Sequence, residues 1–106
     1  MTDRELLELA AKAAGIHVRT WDGHSGPMCA IDDDLHGSMW MPLSDDGDAL
    51  RLAVNLNIHI LRYESMTTAA PLLAKFGCDE RDDGDPHAAT RRAIVRAAAE
   101  IGKELK

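Results

Sequence analysis

The chain of 106 residues carries a formal net charge of −6 and is 45% hydrophobic, with four aromatic residues, Trp21, Trp40, Tyr63 and Phe76. This length makes one domain (1–106) that needs neither disulfides nor metals to fold, and the alanine-rich composition predicts a thin, close-packed core rather than the aromatic-lined pocket of a cofactor enzyme. Between Thr20 and Leu50 there is no lysine or arginine against seven aspartates, and a second acidic run, "DERDDGD", fills 79–85; the dominant basic face of a direct nucleic-acid binder is missing.

"TDRE" opens the first helix as a capping box, Thr2 capping and Glu5 reaching back. Leu6, Leu9, Ala10 and Ala13 share one face, with Leu7 and Ala14 beside it, and Gly15 ends the helix with Ile16 as its apolar clasp. The early charges of "MTDRELLELA" leave no apolar signal segment, and no apolar run is long enough to span a bilayer. A cytosolic protein is expected, with Cys29 and Cys78 as buried thiols. "IHVRTW" alternates as a half-buried strand; "DGHSGP" breaks it, and "MCAI" is expected to return as its hairpin partner.

"WMPLSDDGDALRLAVNLNI" follows an acidic loop containing Asp32, Asp33 and Asp34. Ser44 or Asp45 is the expected N-cap of a second helix. Asp46 and Asp48 lie in its first turn, where the helix dipole favours carboxylates. Leu50, Ala53, Val54 and Leu56 are the expected buried stripe, with Asn57 as a left-handed cap. "IHILRYE" is a second strand. After it we expect a turn and then a strand over 72–76, with Pro71 at an edge or entry position; a short helix is the alternative there. The run after Gly77 reads as a surface loop. In "DPHAATRRAIVRAAAEIGKEL", Asp85 caps, Pro86 occupies the first turn, and Ile94, Ala97, Ala98, Ile101 and Leu105 form the apolar stripe. No internal repeat is evident. The predicted order is α-β-β-α-β-β-α, an α+β fold: a layered alpha-beta-alpha sandwich with a small, mostly antiparallel sheet of about four strands and three helices.

"TDRELLELAAKAAGI", the W-x-PLSDDGDALRLAV segment and "AATRRAIVRAAAEIGKEL" together resemble the phage ABA-sandwich domain family of small phage and prophage proteins. The resemblance implies an alpha-beta-alpha layered domain of phage origin, working in the host cytoplasm, and it supplies no catalytic residues. Where that family often has asparagine between the tryptophan and the proline, this chain has Met41.

Chemistry is sparsely signalled. "SDDGD" lacks the alternating ligand spacing and closing glutamate of a calcium loop. The five histidines and two cysteines show no zinc spacing, and a composite of His24, Cys29 and His36 is weighed against ordinary surface histidines. No nucleophile motif or phosphate loop is present. No metal, cofactor or catalytic residue is therefore assigned. The candidate partner-binding residues are Trp40, Asp45, Asp46, Asp48, Asp32, Asp33 and Asp34. For each there is a plainer role: Trp40 as a plug at the helix–sheet corner, the aspartates as caps and solvated charge. The expected function is non-enzymatic, through contact with a host or phage protein. The alternative is a host-directed inhibitor whose acidic loops mimic nucleic acid; a small enzyme or nucleotide binder ranks third. The oligomeric state is left open by the sequence.

Overall fold

The computed structural model describes residues 1–32, 38–72 and 77–105. It is an α+β fold in which α1 (Asp3–Ala14), β1 (Val18–Gly23), β2 (Gly26–Ile31), α2 (Asp46–Asn55), β3 (Ile58–Tyr63), β4 (Met66–Pro71), β5 (Cys78–Arg81) and α3 (Pro86–Glu104) follow in order. The strands form two antiparallel sheets, β1-β2 and β3-β4-β5. Five strands thus stand where about four were expected.

The helix ends follow the local chemistry. Thr2 accepts from the Glu5 amide at 3.1 Å, and Gly15 takes φ 72° at the C-terminus of α1. Asp85 accepts from the Ala88 amide at 3.0 Å, with Pro86 opening α3. α3 is the central element: it packs against α1, α2 and all three strands of the larger sheet. It buries more than one stripe, so Val95 and Ala99 join the expected Ile94, Ala97 and Ala98. Leu105, expected in that stripe, instead lies exposed just past the helix end. The approach of α1 to α3 is close because Gly102 faces the backbone of Leu9; a β-carbon there would overlap the Leu9 carbonyl oxygen.

Three expectations change. In α2 the buried residues are Ala49, Leu52 and Ala53, while Leu50 and Val54 are 59% and 65% exposed. Two stripes with helical spacing run through this helix and share Ala53; the one facing α3 and Trp40 is buried. Where a turn was expected before a strand over 72–76, β4 forms at Met66–Pro71, because Glu64 (φ 49°) lets the chain turn back at once. Leu72 is in a turn and 73–76 lie outside the described residues. The run after Gly77, expected as a loop, begins with β5. Its charged side chains suit an edge strand, where they discourage further pairing.

The arrangement recurs, which the sequence did not disclose. Each hairpin is followed by an antiparallel return and then by a helix. The Ala30–Met39 bridge after the first hairpin corresponds to the Ala69–Cys78 pair after the second, both partners displaced by 39 residues. The two "DDGD" segments precede or open the two helices, but in different phase: Asp45, first of its set, caps α2, and Asp85, last of its set, caps α3.

Candidate functional site

The acidic elbow before α2 is built of internally engaged carboxylates. Asp45 accepts from the Asp48 amide at 2.8 Å, as an N-cap. Asp48 reaches back to the Met41 amide at 2.9 Å and holds Arg51 at 2.6 Å. Asp46 crosses to α3, where Arg91 binds it at 2.6 Å and His87 stands at 3.5 Å; Arg91 also donates to the Leu43 carbonyl at 2.9 Å. The Arg91 hydrogen bond, chiefly, holds the Asp46 carboxyl below its ordinary value of 3.8. The elbow therefore ties α2 to α3 through its charges.

Trp40 is 6% exposed within the core beside Cys29, and its amide donates to the Cys29 carbonyl at 2.9 Å. Asp32 pairs with Arg19 at 3.1 Å on the first hairpin, away from the elbow. Asp33, Asp34 and His36 lie outside the described residues. The structure thus brings Asp45, Asp46 and Asp48 together and sets Trp40 behind them. Among the described residues, no group of three or more His, Cys, Asp or Glu is placed to hold a metal ion. The Cys29 thiol is buried and pushed up to about 11, chiefly by that burial and secondarily by Glu8.

A different surface has the features of an interaction site. An open groove of about 320 Å³ runs between the start of α2, the start of α3 and β3. Leu50, Ile60, Pro86 and Ile94 supply its apolar lining, and Arg62, Arg91, His87 and Asp46 its polar groups. Its polar groups are already partnered. Arg62 clasps Asp82 at 2.5 and 3.0 Å and donates to Thr67 at 2.8 Å. The buried Thr67 hydroxyl in turn bonds Thr90 at 2.9 Å. The groove therefore offers apolar contact within a fixed polar frame.

Beside the groove lies the outer edge of β3, an end strand of its sheet. The Tyr63–Met66 pair closes a two-residue turn, and the Leu72 amide reaches the Asn57 carbonyl at 3.1 Å. Antiparallel bonding alternates from pair to pair. Tyr63, Leu61, His59 and Asn57 therefore bond toward β4, and the backbone groups of Ile58, Ile60 and Arg62 point outward. Ile60 is 37% and Leu61 63% exposed, so both faces beside this edge present apolar surface. This surface was missed from sequence because Leu50 and Val54 read as core and "IHILRYE" read simply as a second strand, with nothing to mark it as an open edge.

No family model, curated protein or solved structure matches this chain. No helix among the described residues is long and apolar enough to cross a membrane.

Proposed function

We propose that the chain is a phage- or prophage-encoded accessory protein that acts by protein–protein contact, without chemistry of its own, through the groove and the β3 edge. The observation that carries this reading is the exposure of Leu50, Ile60 and Leu61 beside one open strand edge. Clustered exposed apolar side chains with a polar surround are the usual mark of a contact surface. The phage assignment rests on the resemblance of the helix-forming segments.

The nucleic-acid-mimic reading draws less support. A mimic needs carboxylates free to meet a basic groove, and Asp45, Asp46, Asp48 and Asp32 are each engaged by an arginine of the same chain. Capture of partners from bacterial lysate at low and high salt, with the native chain and Leu50→Lys, separates the two readings. Contact through the apolar surface predicts retention that persists in salt and is lost in the variant. Retention of basic proteins that salt releases, unaffected by Leu50→Lys, would favour mimicry and overturn the proposal.

A further inference from the structure

A free strand edge is a template for pairing with another chain, and folded proteins usually block it with charge, proline or a covering group. Each of the other edges carries a covering contact on at least one of its outward backbone groups. β1 bonds toward β2 through His17, as the Asp32 amide to His17 carbonyl bond of 2.7 Å shows, so its Thr20 carbonyl points outward; Arg4 of α1 covers that carbonyl at 3.0 Å. β2 is met along its outer side by Ser38 and Trp40, which exchange backbone bonds with Ile31 at 2.8 Å and Cys29 at 2.9 Å. β5 presents its Asp79 carbonyl outward, and Arg96 of α3 covers it at 2.9 Å. On β3, among the described residues, no side chain is recorded on the outward backbone groups of Ile58, Ile60 or Arg62, and the segment contains neither proline nor lysine. Its one formal cation, Arg62, is neutralised by Asp82.

We infer that the β3 edge pairs with the β3 edge of a second copy of this chain, in antiparallel register about Ile60, joining two three-stranded sheets into one. This inference rests on the contact-protein reading above and names its partner. Local charge admits this occupant, and the symmetry of the edge favours it. Two chains of net charge −6 repel, so a self-contact must lie where carboxylates are absent or paired. The segment Ile58–Tyr63 contains none, and the neighbouring Asp46 and Asp82 are held by Arg91 and Arg62. Two-fold symmetry makes an antiparallel edge self-complementary. In the register about Ile60, each Arg62 stands opposite Ile58 of the second copy rather than opposite the other Arg62. Leu61 stands opposite His59, and Ile60 meets Ile60. The exposed Leu50 beside Ile60 then continues the apolar contact on the groove side.

The test is light scattering coupled to size exclusion on the full chain across a concentration series, with backbone amide exchange read in parallel. The expected result is twice the monomer mass with a Kd in the micromolar range. Exchange at the Ile58, Ile60 and Arg62 amides should slow as concentration rises. Ile60→Lys, placing a cation against its own copy at the two-fold axis, should raise Kd at least about tenfold; should that variant not fold, the amide exchange of the native chain decides alone. A chain monomeric throughout, with those three amides exchanging freely, overturns the inference. So does a dimer that Ile60→Lys leaves intact. A monomer whose capture of a foreign protein is abolished by Leu50→Lys overturns the second-copy assignment and leaves the contact reading standing; a monomer that captures nothing through this surface removes both.

Discussion

At the scale of single residues, the carboxylates of the elbow divide their work, and each division has a measurable consequence. Asp45→Ala removes the cap of α2 and should cost about 1 kcal/mol in chemical denaturation, while Asp45→Asn, which keeps an acceptor, should cost little. Asp46 and Asp82 are held below the ordinary carboxylate value by hydrogen bonds from Arg91 and Arg62. A depressed folded pKa stabilises above the unfolded value and ceases to do so as pH falls through the folded one. Stability should therefore decline as pH is taken down from about 3.8, and Asp46→Asn with Asp82→Asn should flatten that decline. Cys29 has the opposite sign: its raised pKa keeps the neutral thiol favoured in the fold, so stability should fall as pH rises from 9.0 towards about 11. A thiol reagent at neutral pH should label it only after unfolding. The capping role was legible in the sequence, since an aspartate before an apolar helical pattern has few other uses. The Arg91 and Arg62 partners were not, because Arg91 is 45 residues and Asp82 20 residues distant from its counterpart along the chain.

Among the elements, legibility depended on how many alternatives a pattern admits. α1 is bounded by Thr2 and Gly15 as expected, but its buried residues are Leu6, Leu7, Ala10 and Ala11, so Leu7 and Ala11 lie deeper than Leu9 and Ala13 of the expected face. α2 carries two overlapping stripes, and periodicity cannot choose between them; packing on α3 chose the one containing Ala49 and Leu52. β5 carries a polar sequence, Cys78–Arg81, that only its pairing with β4 identifies as a strand. The α1–α3 contact yields a sharp contrast between glycines. Gly102→Ala places a methyl group into the Leu9 backbone and should destabilise by about 1–3 kcal/mol, as overpacking does. Gly47→Ala meets the end of the flexible Arg51 side chain at 3.2 Å and the capping Oδ2 of Asp45 at 3.3 Å, which offsets a gain in helix propensity of up to about 1 kcal/mol, so it should be close to neutral. Thermal melts of the two variants side by side check the ordering.

For the molecule as a whole, the distribution of arginines over strand edges matters more than their number. Arg4 and Arg96 close two edges from neighbouring helices, Ser38 and Trp40 close a third, and β3 is left for a second copy. Association of this kind couples to folding by mass action, so the melting temperature should rise with protein concentration in the native chain and cease to do so in Ile60→Lys. The order of helical and strand patterns indicated an α+β domain and composition a thin core, but neither told which edge stays open, because that depends on where α1 and α3 come to lie. The central position of α3 also bears on how the protein is made. α3 is translated after every element it supports, and the face that α1 buries is completed only when α3, with Gly102 against Leu9, comes to lie on it. A nascent chain stalled before Pro86 would hold two helices and five strands without the helix most of them pack on, open to proteases and to any chaperone near the ribosome exit. Packing of α1, α2 and the larger sheet must therefore await the synthesis of α3, and a pause just before it leaves them all unsupported for its duration.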